Sequence, residues 1–376
     1  MPGNIFAKKT KVHEIFKDER FLYPEFVPER MPFREPEVDG LVFSLQPVLQ
    51  GKKPQNVFVC GKTGTGKTAT VKFVLNELQQ YSDRAKGLYI NCFQLNTRHS
   101  ILTQISNFLG DATPRRGIAT DEAFAKMLEA LKHASFIPIV VLDEADQLLH
   151  NKEASKLFYD LLRVVEYGKG RFGLIFISNL SNFVSLLDDR VKSSLSEQSI
   201  TFEPYSPKQL KEILNQRAEY AFHSNALDSE AINVAAAHAA KLGGDARIAI
   251  ECLLRAGREA EKENSEKLEV KHLRKIFSEV DSRALQKAIS YLSIAEREIL
   301  ELVPANKAIA SGELFEAYSK ASKKPLTQRR FRTLISELEK KQLITAETAT
   351  KPPRGRTRMI SLAFPKARLE EKAKTK

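Results

Sequence analysis

Residues Gly61 to Thr68 read GKTGTGKT, a glycine-rich octet closed by lysine and threonine. It follows the short β-rich run NVFVC (56–60) and leads into TATVKFVLNELQQY, whose apolar residues recur at helical spacing. In that strand–loop–helix setting glycines let backbone N–H groups converge on phosphate oxygens, and the helix N-terminus adds its positive end. The expected phosphate cradle is Thr63, Gly64, Thr65, Gly66, Lys67, Thr68 and Ala69. Lys67 would reach the β- and γ-phosphates of ATP or the corresponding end of ADP, and the Thr68 hydroxyl would ligate Mg²⁺.

The run IVVLDEAD supplies a second half. Four apolar residues bring Asp143 to the C-terminal edge of a strand, where its carboxylate can hold the magnesium water shell. Glu144, one residue on, points the other way and can orient an attacking water. Phosphoryl transfer is catalysed largely by positioning and charge stabilisation, and this pair divides that labour. Asn179, at the tip of the apolar strand RFGLIFISN, suits sensing of the γ-phosphate or its water. Taken alone it reads equally as a turn residue. Arg190 in LLDDRVKSS and Arg247 in KLGGDARIA each start a helix after turn-forming residues and could meet a nucleotide. A lone arginine there also reads as a solvated charge.

Strands alternating with helices must position these groups. NVFVC, GLYINC (87–92), FIPIVVLDEAD (136–146), RFGLIFISN (171–179) and SEQSITFEPY (196–205) read as five strands, with helical TRHSILTQISNFLG and DEAFAKMLEALKHA between the second and third. That order predicts an α/β core with a parallel sheet. From Ser206 to about Val280 the pattern is helical throughout, a small all-α unit. The last segment gives three helices, SIAEREILELV, SGELFEAYSKAS and LTQRRFRTLISELEKKQLI, then two β-like runs, LITAETAT and RTRMISLAF.

Charge is distributed unevenly. From Arg283 onward there are 21 Lys/Arg against 10 Asp/Glu, whereas the rest of the chain has 38 against 37. Nearly all of the net charge of +12 therefore belongs to the last quarter, as in a polyanion-binding module. Cys60, Cys92 and Cys252 have no metal-ligand or disulfide spacing and are expected to be buried thiols. No apolar run approaches the ~18 residues of a membrane span, so a soluble, intracellular protein with no membrane partner is expected.

The order GKTGTGKT, VVLDEAD, FISN, DDRVKSS, GGDAR resembles the AAA+ ATPases, and within them the archaeal initiators of the origin-recognition and Cdc type. The phrases YPEFVPERMPFREPEVDGL, NVFVCGKTGTGKTATVKFVL and GDARIAIECLLRAGREAE carry the same resemblance, over roughly residues 13 to 365. It implies sensor 1 for Asn179, sensor 2 for Arg247, and for Arg190 an arginine finger acting on a neighbour's nucleotide. It also implies that Tyr205 and Arg217 line the nucleotide site. The family's helical insertion before the Walker B strand contacts DNA; the matching stretch is Asn96 to Gly117, where TPRRG would contribute Arg115 and Arg116. A solvated surface loop is the other reading of that stretch. MPFRE stands where PHRE is usual, and LDDRV where LDPRV is usual; neither change removes a chemical group needed above.

In the last long helix Phe331, Leu334, Ile335 and Leu338 form an apolar stripe, leaving Arg329, Arg332, Thr333, Ser336 and Lys340 on the opposite face, with Thr327 at the helix start. Such a face suits the major groove. KPPRG then forms a stiff hairpin tip in which Arg354, Arg356 and Arg358 recur with period two, a wing suited to the adjacent minor groove. The expected architecture is an α/β AAA+ core with its N-terminal arm (1–203), a helical lid (204–280), a C-terminal winged-helix domain (281–366) and a flexible tail (367–376). The resemblance implies an ATP-dependent replication initiator that binds double-stranded origin DNA, associates with other initiator protomers and helps recruit the MCM helicase. A nucleotide-gated transcription regulator would use the same parts. A DEAD-type helicase fits poorly, because no second RecA-like core is present.

Overall fold

Alternation within the short apolar runs builds a sheet buried on both faces. In β1 (Asn56–Gly61) Val57 and Val59 point to one side, where helices α1 (Glu35–Leu45) and α2 (Lys67–Tyr81) pack through Leu41, Leu45, Val71 and Leu75. Phe58 and Cys60 point to the other, against α3 (Arg98–Phe108), α4 (Thr120–His133) and α5 (Ala154–Leu162), which bury Ile101, Met127 and Phe158. Strands β2 (Ala85–Asn91), β3 (Ile137–Asp143), β4 (Gly173–Ser178) and β5 (Glu197–Phe202) complete a parallel sheet in the order β2-β3-β4-β1-β5. Both faces covered by helices is the setting in which continuous Val/Ile runs are stable as parallel strands.

The structure is a computed structural model that describes residues 14–151, 153–164, 170–194, 197–305, 307–322, 326–341, 343–348 and 358–363. All five expected strands are present. Helices α1 and α5 are additions to the elements read from the sequence. Short helices α6 (Phe183–Leu186) and α7 (Asp189–Ser194) follow β4.

The chain forms two compact units, 1–270 and 271–376. The first includes the lid helices α8 (Pro207–Ala221), α9 (Ser229–Lys241) and α10 (Ala246–Lys262). The arm is strapped to this lid. Phe16 stacks on Phe222 with ring centres 4.9 Å apart, Glu261 accepts the Ile15 and Phe16 N–H groups, and Arg258 pairs with Glu19 at 2.9 Å. The domain boundary expected after residue 280 falls inside one continuous helix, α11 (Val270–Ser290).

In the second unit α12 (Ile294–Leu302), α13 (Ser311–Ala321) and α14 (Gln328–Lys340) surround a core of Ile299, Leu314, Tyr318, Phe331 and Leu338. Strands β6 (Ile309–Ala310), β7 (Ile344–Thr348) and β8 (Arg358–Leu362) form an antiparallel sheet in the order β6-β8-β7. Three helices and a β-hairpin after the last of them are the expected winged helix. The hairpin tip and the tail at 367–376 lie outside the described residues. All three cysteines are buried thiols, as expected.

Candidate functional site

The carboxyl ends of β1, β3 and β4 meet where the chain leaves the sheet for its loops, the place at which open α/β sheets bind ligands. Gly64 and Gly66 hold φ values of 74° and 93°, left-handed conformations that curl the backbone around a hollow. A Cβ on Gly64 would meet Asp245 Oδ1 at 1.7 Å, and one on Gly66 would meet the Tyr205 hydroxyl at 2.6 Å. Thr65 is buried and bonds the Lys62 carbonyl at 2.9 Å, Thr63 is exposed on the outer side of the loop, and Ala69 lies in the first turn of α2. That turn's leading N–H groups have no intrahelical acceptors.

Lys67 enters the hollow from α2. Its Nζ donates to the carbonyls of Gly61 and Lys62, each at 2.7 Å, and to Asn179 Oδ1 at 3.0 Å. Burial pushes its ammonium down to about 8, and the Arg247 charge adds to this against the opposing pull of Asp143, Asp146 and Asp245. The Thr68 hydroxyl donates to Asp143 Oδ2 at 2.7 Å. The same oxygen accepts the Tyr89 phenol from β2, whose ionisation is pushed up by burial and by the Asp143 charge. Glu144 follows with φ 55°, a left-handed turn that takes its side chain off the line of β3, and its N–H donates to Asp143 Oδ1 at 2.8 Å. Glycine cradle, buried lysine and paired hydroxyl and carboxylate oxygens suit a triphosphate with a hard divalent cation, so the residues present fit ATP and Mg²⁺.

The lid reaches the same loop. Gly243 and Gly244, both left-handed, end α9, and the Asp245 carboxylate caps α10. The Ala246 N–H donates to the Gly64 carbonyl at 3.1 Å. Arg247 is half exposed, its Nε 3.6 Å from Asp245 Oδ1. Tyr205 is buried beneath Gly66, and its hydroxyl accepts from Arg34 Nε at 3.1 Å. Arg190 is exposed in the first turn of α7, with its N–H on the Asp188 carboxylate.

Arg217, expected to line the nucleotide site, is held between α8 and the arm. The Arg217 guanidinium donates to the carbonyls of Phe21 and Phe26 at 2.9 and 3.3 Å and stacks on the Phe26 ring at 4.5 Å. Burial lowers it to about 10. A planar fork with two carbonyl acceptors and an aromatic face is a stable end in itself, and it fixes the arm to α8.

Three site residues were missed by motif reading. Tyr89 lies in GLYINC, and only the strand order brings it to Asp143. Arg34, in MPFRE, is 4% exposed and donates to the carbonyls of Thr65 and Glu203 and to Glu37. Asp146 is buried beside the end of β4. Its place in DEAD, just beyond the Asp143–Glu144 pair, was a signal.

Among the described residues most of the candidate DNA-facing side chains are exposed. Arg115 and Arg116 are exposed on the α3–α4 loop, which is anchored by Thr113, itself bonded to Ser106 at 2.7 Å and to Asp111. On α14 Phe331, Leu334, Ile335 and Leu338 are buried, while Arg329, Arg332 and Thr333 are exposed and Ser336 is half-buried. Thr327 caps the helix by accepting the Arg330 N–H. Arg354 and Arg356 lie outside the described residues. Arg358, expected on the wing's groove-facing side, pairs with Glu339 of α14 at 3.1 Å; the acid on the neighbouring helix draws the guanidinium back to it.

The sequence matches three family models: an AAA domain over residues 50–186, a Cdc6 AAA+ ATPase-type lid domain over 211–278, and a CDC6 C-terminal winged-helix domain over 279–372. It is 36% identical to ORC1-type DNA replication protein 1 of Sulfurisphaera tokodaii, covering 93% of this chain and 90% of that protein. Among solved structures it is similar to Aeropyrum pernix ORC1 in complex with DNA (31% identity, TM-score 0.69, 95% of this chain and 96% of the other). Aeropyrum pernix ORC2, solved as ADPNP–ADP complexes, is similar at 25% identity and TM-score 0.75, covering 95% and 97%. No helix among the described residues is long and apolar enough to cross a membrane. With a phosphate loop, lid and winged helix in one chain and this identity along nearly its whole length, the protein belongs to the archaeal ORC1/Cdc6-type DNA replication initiators of the AAA+ ATPase family.

Proposed function

We propose that this chain binds double-stranded origin DNA in an ATP-dependent manner and helps recruit the MCM helicase, with other initiator protomers beside it on the DNA. The observation that carries the reading is the coexistence of the Lys67–Thr68–Asp143 cluster with an α14 face whose exposed residues are arginine and threonine. Its relatives, a DNA replication protein and an ORC1 solved in complex with DNA, support it. MCM recruitment rests on the family resemblance.

Bound ATP with Mg²⁺ supplies the phosphoanhydride whose cleavage ends the active state. Lys67 places a positive charge at the phosphates, and Thr68 with Asp143 holds the cation. Glu144 orients water, Asn179 reads the terminal phosphate, and Arg247 brings the lid to it. Tyr205 shapes the loop from below. Arg190 acts on a neighbour's nucleotide, so a lone protomer hydrolyses slowly and works as a switch. Arg329, Arg332, Thr333 and Ser336 enter the major groove with Thr327 at the helix start, Arg354 and Arg356 approach the minor groove while Arg358 keeps its pair with Glu339, and Arg115 and Arg116 add a second contact.

The test is occupancy across the genome together with duplex binding at several salt concentrations, with and without ATP. Binding concentrated at replication starts and strengthened by ATP is the expected result. Occupancy spread over many promoters would sink the reading.

A further inference from the structure

β3 and β4 stop exchanging backbone contacts before the reacting groups are reached: their last paired residues are Leu142 and Phe176. Beyond that point β3 diverges to deliver Asp143 and Glu144, while β4 continues to Ser178 and Asn179. One side chain bridges the gap. Asp146, at the start of the 3-10 helix Ala145–His150, turns back across it. Its Oδ1 accepts the Ser178 hydroxyl at 2.9 Å and the Asn179 N–H at 3.2 Å, and its Oδ2 accepts from Gln147 Nε2 at 3.1 Å.

Ser178 is fully buried, and its hydroxyl oxygen also accepts the Leu180 N–H at 3.0 Å. The backbone on both sides of Asn179 is thus tied to one carboxylate, directly at residue 179 and through Ser178 at residue 180. The amide held in this way is the one whose Oδ1 receives Lys67 Nζ. A buried carboxylate is stable only when its oxygens are met by donors, and bonds to a charged acceptor are stronger than neutral ones. Asp146 therefore does more than fill space at a strand end.

We infer that Asp146 is a positioning residue for Asn179: through Ser178 and the Asn179 N–H it fixes the distance between the sensing amide and Lys67, and so sets how strongly the site distinguishes ATP from ADP. The inference rests on reading Asn179 as the residue that senses the terminal phosphate. It assigns the third acid of DEAD to the sensing strand, apart from the Asp143–Glu144 pair.

The experiment measures affinities of the full chain for mant-ATP and mant-ADP by fluorescence, in wild type, Asn179→Ala, Asp146→Ala, Asp146→Asn, Ser178→Ala and the double variant Asp146→Ala/Asn179→Ala. Asp146→Ala should lower the ATP-over-ADP affinity ratio by about tenfold, the worth of one charge-assisted hydrogen bond, with ADP affinity little changed. The double variant should fall no further than Asn179→Ala, because the two act as one unit. Asp146→Asn keeps an acceptor for both donors and should recover most of the ratio. Should Asp146→Ala unfold, Ser178→Ala carries the test with a smaller loss in the same direction. Additive losses, or a wild-type ratio in Asp146→Ala or Ser178→Ala beside a lowered ratio in Asn179→Ala, overturn the inference alone. A wild-type ratio in Asn179→Ala overturns the sensing role and the inference together.

Discussion

The guanidinium carbon of Arg34 lies 4.0 Å from the centre of the Tyr205 ring, and the same group donates through Nε to the Thr65 carbonyl at 3.0 Å. One buried cation from the arm thus joins the phosphate loop to the segment that leads into the lid. Arg34→Ala should destabilise the first unit by about 3 kcal/mol, the scale for breaking a buried ion pair, and weaken nucleotide binding. Arg34→Lys keeps the charge and loses the fork, so it should recover only part of either. Chemical denaturation and mant-ATP titration measure the two effects, and an alanine variant with wild-type values in both would remove Arg34 from the site.

Tyr89 and Thr68 share one oxygen of Asp143. Tyr89→Phe keeps the ring and removes that donor. The Mg²⁺ concentration for half-maximal ATP hydrolysis should rise about tenfold, as for other partners that orient a metal-holding group, while mant-ATP binding without Mg²⁺ stays as it was. An unchanged Mg²⁺ dependence would show that Thr68 and the Glu144 N–H suffice to set the carboxylate.

Lys67 gives a dependence on pH with two opposite signs. Burial holds its ammonium at about 8, well under the ordinary lysine value. Phosphates favour the charged form, so ATP binding is full below that pH and requires proton uptake above it. Affinity should fall by about tenfold per pH unit on the alkaline side. The unfolded chain binds more protons than the folded one in the same window, so conformational stability of the nucleotide-free protein rises there with pH. Calorimetry in buffers of different ionisation enthalpy reads the proton directly. A flat affinity between about pH 7.5 and 9.5 would contradict the burial of the charge.

The exposed arginines of α14 differ in their partners. Arg330 has an acid nearby, Glu337 at 3.7 Å, whereas Arg329 and Arg332 lie on the face opposite the buried stripe. Arg329→Ala with Arg332→Ala should weaken duplex binding and lower the slope of log affinity against log salt by about one unit for each arginine that meets a phosphate. Arg330→Ala should cost less. Equal losses from all three would indicate a diffuse electrostatic surface rather than a groove-reading face.

The proposed second DNA contact, on the first unit, is tested by Arg115→Ala with Arg116→Ala, which should weaken DNA binding without altering ATP affinity. Unaltered DNA binding would take the α3–α4 loop out of the interface.

What the sequence revealed was local. GKTGTGKT is legible because its backbone geometry depends on its own glycines, and β1 to β5 are legible because their apolar runs lie between turn-forming residues. Helix α1 is hidden by the prolines around it, although Pro36 sits in the first turn, where proline is tolerated. Tyr89, Arg34 and Asp146 act on residues 54, 31 and 32 or 33 positions away, and such pairings exist only once the strand order is set. Arg217 and Arg358 show the converse. Each has the charge its expected role requires, but nearby groups, the arm carbonyls and Glu339, engage it.

The sheet order also bears on how the molecule is made. β1 carries the phosphate loop, yet its two neighbours are β4, which begins at Gly173, and β5, which begins at Glu197. During synthesis the loop leaves the ribosome long before either strand that will hold it. Non-local parallel pairing of this kind is slow, because the entropy of closing a long stretch of chain is lost before any strand pairing offsets it. ATP therefore has no formed site to bind on the nascent chain until β5 has emerged. A ligand of the native state stabilises only what is already folded, so nucleotide should slow unfolding of the finished protein without speeding its first assembly.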